Sequence, residues 1–387
     1  MIRKSIILLA AAAMALSCGH RYVKPAASSP SGAADANLEF ALNFFKKTNQ
    51  TVQYDENIIL SPYSAGVALS MLEEGAEGET KAEFDNALNG HLFAAEDLGG
   101  NDDVTVKSTN SLWISDNFSI RNRYVSLLEK DFDAFVTTQN FSDPATVQAI
   151  NNWCGEHTAG KITHIIDELS PNDVMVLVNA LYFNAPWEKA FDPEGTEKAV
   201  FHGVVEDKEV PMMYTKDKYA YAEYQGCQLI RLPYAGGRYS MIVVLPPYGW
   251  GIDNILPYVN GTAYKGAMQM LSKQEVVFRM PQFKLETSLV LDKALKKMGV
   301  ETAYTPAADF KGISAMGSLS LGTVKQKCYI DVTEKGTEAA AVTSAQVRLT
   351  SAAPHPVVRM TVDRPFIFII SDSQTDNIIF VGKVVNL

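Results

Sequence analysis

Side chains able to do chemistry are present in this chain, but not at the spacings that familiar enzyme motifs require. No GxSxG turn presents a nucleophile and no HExxH pair could hold zinc. Neither a GxxxxGK[ST] phosphate loop nor a GxGxxG cofactor turn occurs. The six histidines are scattered. Cys154-x-x-His157, with His164 and Asp167 nearby, is too loosely spaced for a metal set, and a helix with its following turn accounts for it. His91 and His202 stand in no acid–nucleophile pattern. A triad assembled from distant residues is invisible to such a reading, and nothing in the sequence points to one. The expectation is a protein that is not an enzyme, with no metal and no cofactor.

The informative segment is 331–366, DVTEKGTEAAAVTSAQVRLTSAAPHPVVRMTVDRPF. Taken as an extended strand, one face carries Thr337, Ala339, Ala341, Thr343, Ala345, Val347 and Leu349, all uncharged and the first five small. The other carries Glu338, Ala340, Val342, Ser344, Gln346, Arg348 and Thr350, and with them every charge. Alternate residues point to opposite sides of a strand, so this is the pattern of a strand with one buried face. Gly336, the alanine run and the later prolines fit an exposed loop equally well. Two states, loop and inserted strand, are one reading; a surface linker with accidental parity is the other.

Around this segment the periodicities predict a mixed fold without repeats. Helical spacing covers 36–48, 61–74, 79–89, 121–133 and 144–160. Strand-like runs cover 104–114, 173–183, 219–224, 228–233, 239–245, 275–284, 323–333, 357–361, 366–371 and 377–385. Helices dominate the first half and strands the second, which predicts α+β rather than alternating parallel units. The composition, 47% hydrophobic and 20% charged, is that of a globular chain with an ample core. Lys+Arg 34 against Asp+Glu 44 gives a net charge of −10, which argues against sequence-independent binding to nucleic acid.

The N-terminus reads as an address. Arg3 and Lys4 precede an apolar stretch at 5–16 that is too short to span a bilayer, and small residues and Cys18 follow. Residues 1–17 are expected to be a signal peptide. Ala15-Leu16-Ser17-Cys18-Gly19 resembles a bacterial lipoprotein box with Cys18 lipidated, although Ala15 stands where Leu is commoner; ordinary cleavage without a lipid is the other reading. Residues 18–35 form a Pro/Ser/Ala-rich tether. No later apolar run could cross a membrane, so the membrane is met only through that lipid. Cys154, Cys227 and Cys328 lack CxxC spacing and are expected to be buried free thiols.

From residue 36 to 387 the chain resembles the serpin family. Asn57-Ile-Ile-Leu-Ser-Pro-Tyr-Ser64 looks like the start of the family's helix B. Ile150-Asn-Asn-Trp153 with Thr158-x-Gly160-Lys161-Ile162 looks like its helix F. Leu177-Val-Asn-Ala-Leu-Tyr-Phe183, followed by Trp187 and Phe191-Asp-Pro, looks like strand 3 of the large sheet. Glu334-Lys-Gly-Thr-Glu-Ala-Ala-Ala341 looks like the hinge of inhibitory members. Val362-Asp-Arg-Pro-Phe366 and Phe380-Val-Gly-Lys383 look like the C-terminal signature. Six motifs in order over this length are specific.

The resemblance implies an α+β single domain of about nine helices and three β-sheets with an exposed reactive loop. It implies a suicide inhibitor: a protease cuts the loop, which then inserts as a strand while the protease is still acyl-linked. The hinge is Glu334, Gly336, Thr337, Ala339, Ala340 and Ala341. Counting seventeen residues from Glu334 places the reactive bond at Thr350–Ser351, with Arg348, Leu349 and Ala352 as alternatives. Elastase-like, trypsin-like or papain-like proteases are the implied partners of a monomeric, extracytoplasmic protein that is secreted or lipid-anchored to a bacterial membrane. Ser61, Ser64 and Asn179 match residues beneath the opening sheet, with Gln326 where the family usually has histidine. Trp187 matches the top of the sheet, and Gln282 aligns near a lysine that often pairs with Glu334. A non-inhibitory member, acting as a binding or chaperone-like module, is the alternative; its usual mark is a spoiled hinge, and this hinge is clean.

Overall fold

The computed structural model describes residues 30–94, 98, 103–170, 173–316, 319–337 and 357–387. Eight helices occur among them: α1 (Pro30–Asn49), α2 (Pro62–Gly75), α3 (Gly78–Ala87), α4 (Asn122–Asp131), α5 (Pro144–His157), α6 (Ile252–Ile255), α7 (Gly261–Met270) and α8 (Asp292–Lys297). The helix starts follow capping chemistry. Ser61 Oγ accepts from the Ser64 amide and Asp143 Oδ1 from the Ala145 amide, each with proline in the next position. The helix expected over 144–160 stops at His157, because Ala159 and Gly160 take positive φ. His157 Nδ1 meets the Trp153 carbonyl at 2.7 Å and the Cys154 thiol is buried, so these two side chains turn to separate partners.

The strands are β1 (Ile58–Leu60), β2 (Thr105–Ser115), β3 (Ala134–Gln139), β4 (Met175–Pro186), β5 (Asp192–His202), β6 (Asp207–Tyr224), β7 (Cys227–Pro233) and β8 (Tyr239–Leu245), then β9 (Ser272–Pro281), β10 (Phe283–Val290), β11 (Lys325–Thr333), β12 (Gly336–Thr337), β13 (Val358–Thr361), β14 (Phe366–Asp372) and β15 (Ile378–Val384). They form two sheets. One runs β1-β15-β14-β8-β7-β6-β9-β13 with β5 on β6; the other runs β10-β11-β12-β4-β2-β3. The fold is the expected α+β single domain. Two sheets are seen among the described residues rather than about three, because the 18-residue β6 pairs with β5 and β9 and also with β7, joining what would be two sheets.

The six-stranded sheet is covered on both faces. On one side β4 offers Leu181, Phe183 and Ala185 to the main core, which also receives Val67 and Leu72 of α2. On the other, Val178 and Ala180 meet Trp113, Ile150 and Trp153 under α5. Adjacent residues of β4 thus serve opposite cores, as strand alternation requires.

Candidate functional site

The site lies where β11 turns into β12. Gly336 and Thr337 sit between two strands: Thr337 is opposite Val332 of β11 on one side and Ala185 of β4 on the other, antiparallel to both. Among the described residues β4 and β11 share no ladder directly; β12 separates them. The first inward residue of the expected hinge is therefore already seated in the sheet.

Several bonds hold this seat. The Trp187 indole donates to the Thr333 carbonyl at 2.9 Å, and the Trp187 and Phe191 amides donate to the carbonyls of Lys335 and Glu334, each at 2.9 Å. Glu334 Oε1 accepts from Gln282 Nε2 at 2.6 Å and from Thr196 Oγ1 at 2.8 Å. Gln282 stands where the resemblance aligns a lysine, and its amide supplies a neutral hydrogen bond to Glu334 from that place. Below these, Thr337 is 1% exposed and its hydroxyl lies 2.7 Å from the hydroxyl of fully buried Tyr234. The Tyr234 ring stacks on Trp187 at 4.5 Å and 11° and meets Phe183 edge-on at 5.0 Å, which leaves the hydroxyl little freedom. Burial raises the Tyr234 pKa well above the ordinary phenol value, so it stays a neutral hydroxyl. Sequence reasoning missed Tyr234, since no local pattern around Tyr234-Ala-Gly-Gly marks it.

Beneath the seat a cleft opens between the lower halves of β4 and β11, lined among others by Ser64, Leu69, Val178, Asn179 and Gln326. Gln326 closes on the start of α2 in both directions. The Ser61 amide donates to Gln326 Oε1 at 3.0 Å, and Gln326 Nε2 donates to the Ser61 carbonyl at 2.9 Å. Ser61, Ser64 and Gln326 are thus brought together. Asn179 lines the same cleft, but its amide donates to Asn110 Oδ1 instead. Asn110 in turn donates to the Phe132 carbonyl at 2.9 Å, which fixes both amides and leaves Asn179 Oδ1 buried without a hydrogen-bond partner. Cys328 is on the same face of β11; burial pushes its thiol up to about 12, and that of Cys154 up to about 11. With Cys227 they are free and buried, as expected.

Ala339, Ala340 and Ala341 of the hinge, the residues Arg348, Leu349, Thr350, Ser351 and Ala352 around the reactive bond, and Cys18 with the signal and most of the tether lie outside the described residues. Among the described residues no helix is long and apolar enough to cross a membrane.

Comparison with known proteins agrees with this geometry. The family model described as "Serpin (serine protease inhibitor)" matches residues 35–387. A serpin-like protein of Methanosarcina acetivorans is 33% identical over 374 residues, covering 91% of this chain and 85% of the relative. Iripin-2 of Ixodes ricinus is 33% identical over 350 residues, covering 85% of this chain and 88% of its own length. Among solved structures, the thermophilic serpin tengpin in its native state superposes with a TM-score of 0.84 at 28% identity, covering 92% of this chain and 94% of that one. Human thyroxine-binding globulin in complex with thyroxine gives 0.83 at 27%, covering 92% and 99%.

Proposed function

The chain belongs to the serpin family, and from that premise we propose that it is a suicide-type inhibitor of proteases. The observation that carries this reading is the seat of Gly336 and Thr337 between β4 and β11. It presents the side of the hinge that holds Thr337 to the core, and the residues of the same parity down to Ala345 are small and uncharged. A serine protease, or a papain-like cysteine protease, attacks the carbonyl of Thr350. The bond to Ser351 breaks, Ser351 leaves as a free amine, and Thr350 remains as an ester or thioester on the enzyme. The freed strand then runs on from Thr337 into the cleft and drags the acyl-enzyme along before water can release it. Ordering each added residue costs ~1–2 kcal/mol. Each new ladder bond returns ~0.5–1.5 kcal/mol net. With these terms nearly offsetting, the buried face decides the outcome, and it has no charge to bury.

The protein acts as a monomer outside the cytoplasm, secreted or held by a lipid at Cys18. Incubation with an elastase followed by a denaturing gel tests the inhibitor reading. A stable band of summed mass supports it; cleavage within 348–353 without that band, for elastase-, trypsin- and papain-like enzymes alike, refutes it.

One observation favours the alternative of a binding module. A small apolar pocket lies between α1, α7 and the nine-stranded sheet, lined by residues such as Leu42, Phe45, Leu229, Tyr264 and Ile369. Its lining is that of a site for an apolar group, and the similar human globulin was solved in complex with thyroxine. Pocket binding and loop insertion use different parts of the molecule, so the gel assay decides the inhibitor reading by itself.

A further inference from the structure

One sheet face carries the opposite sign to the chain as a whole. β13 pairs with β9 and β9 with β6, and the registers bring their side chains level in rows. Tyr214, Arg279 and Thr361 form one row, Lys216, Val277 and Arg359 the next, and Lys218 with Glu275 the third; Lys273 follows, opposite Ala220. Residues opposite one another, and residues two apart, point to the same side of a sheet. The alternate residues Thr215, Tyr219, Val276, Phe278, Met280 and Met360 are buried, so the rows lie on the outward side. Five cations stand there, on a protein whose net charge is −10.

Three acids answer them. Lys216 pairs with Glu275 at 3.1 Å, Arg279 with Glu197 at 3.5 Å, and exposed Asp192 is opposite Tyr214, whose ring centroid lies 5.0 Å from the Arg279 guanidinium. Lys218, Lys273 and Arg359 are exposed and have no ion pair among the described residues. Strands about 4.8 Å apart and alternate residues about 7 Å apart put these three positions within roughly 15 Å of one another. At low ionic strength their fields therefore add.

The place of this face says what comes to it. β13 is the first strand after the loop, and Val357, exposed, precedes it by one residue. Ser351 of the reactive bond stands six residues before Val357, a span of at most about 20 Å. A compact protease of about 230 residues has a radius of gyration of roughly 17 Å. The rim of an enzyme engaged at that bond is thus within reach of β13, β9 and β6.

We propose that this face is a docking surface for the target protease, and that the protease it fits carries carboxylates on the rim beside its substrate cleft. This rests on the inhibitor reading above. Lys218, Lys273 and Arg359 draw the acidic rim toward the loop, while the acidic remainder of the inhibitor turns the same enzyme away. Such steering acts on the association rate and fades as salt screens exposed charges. The loop sequence decides which enzymes can cut, and the face decides how quickly each one arrives.

The test compares anionic with cationic trypsin, enzymes of one cleavage preference and opposite net charge. Either can cut after Arg348, and appearance of the fragment 349–387 gives the rate of first cleavage whether or not a complex follows. The full chain is used as wild type, as the triple variant Lys218→Gln/Lys273→Gln/Arg359→Gln, and as a control of the same net charge, Lys130→Gln/Lys293→Gln/Lys297→Gln, whose exposed lysines lie on α4 and α8. At about 0.05 M salt, anionic trypsin should cut the triple variant about tenfold more slowly than wild type, and the control should lose less than about twofold. The gap should close near ~0.5 M salt, where the screening length is only ~4 Å. Cationic trypsin should cut the triple variant no more slowly than wild type.

An unchanged rate for the triple variant, equal losses in the variant and the control, equal losses with the two trypsins, or a loss that persists in high salt each overturn the proposal. So does a triple variant that keeps its wild-type rates but no longer binds a heparin column, for then the face serves a polyanion. Rates that follow the expectation without a band of summed mass refute the inhibitor reading alone and leave the docking surface standing.

Discussion

A methyl group added at Gly336 would stand 2.2 Å from the Ala185 carbonyl oxygen and 2.5 Å from the Pro186 Cα. Both neighbours are backbone, so no side chain can swing away, and Gly336 has φ +149, a region nearly closed to other residues. Gly336→Ala therefore leaves the chain two responses. If alanine keeps the seat, it bears backbone strain of ~1–3 kcal/mol together with the overlap. If the seat is given up, ladder bonds worth ~0.5–1.5 kcal/mol each are lost and the Tyr234 hydroxyl is left unpaired at ~1–3 kcal/mol. Either path reaches about 3 kcal/mol. A chain that gives up the seat must regain it against these same neighbours when the rest of the loop follows, so the penalty falls on the insertion step. A barrier raised by ~2.7 kcal/mol slows insertion ~100-fold, enough for the acyl-enzyme to hydrolyse first. The assay is titration of an elastase with the purified protein, with complex and cleaved species separated on a denaturing gel. Gly336→Ala should give mostly cleaved chain at an unchanged rate of first cleavage. A wild-type yield of complex would refute the reasoning, since it would mean that residue 336 does not pass between β4 and β11 as described.

Three further outcomes are expected. Ala341→Asp should turn inhibitor into substrate, because a carboxylate on the face that carries Thr337 would be buried on insertion at several kcal/mol, whereas Ala340→Asp on the opposite face should be much milder; equal stoichiometries would sink the parity assignment. Nicking within 348–353 should raise the melting temperature sharply, and an unchanged value would count against insertion. Gln326→Glu should introduce a pH dependence that the wild-type clasp lacks: a carboxylate facing the Ser61 carbonyl is disfavoured in the folded state, so its pKa there lies above the unfolded value of ~4.3. A raised carboxylate pKa means stability near wild type while protonated and progressive loss as pH rises through that interval; parallel melting curves for the two proteins from pH 3 to 8 would contradict the clasp.

Most of this fold could be read from periodicity, because α2, α5, β4, β8, β11, β14 and β15 carry strong apolar patterns bounded by caps and turns. Elements without such a pattern went unread. β5 (Asp192–His202) is largely exposed along its length, and the first half of β6 opens on Asp207-Lys208-Glu209, three successive charges whose ladder partners lie in β5. α7 contains Gly261 and Gly266, the latter forced small by the Tyr224 hydroxyl. At the site, parity alone indicated that Thr337 faces inward. It could not say that the residue is already seated, because that depends on Tyr234, a hundred positions away and aimed by Trp187 and Phe183. Likewise Gln326 could be read as a histidine replaced, but its double bond to Ser61 is a matter of geometry. Asn179 was expected to join that pair, and its turn toward Asn110 follows from the Phe132 carbonyl, a partner no motif could name.

The ladder between β1 and β15 sets the order in which the molecule can be completed. Ile58 pairs with Lys383 and Leu60 with Val381, and β15 continues through β14 into β8. A chain emerging from the ribosome or a translocation pore makes β1 early and must leave it unpaired until residues 378–384 have appeared. Contacts between such distant segments carry the loop-closure entropy that makes folding slow. β12, made some forty residues before β15, is thus available before the nine-stranded sheet is finished. Reaching a seat of only two residues then depends on a kinetic contest, in which late closure of β15 has to overtake any deeper threading of the newly made loop.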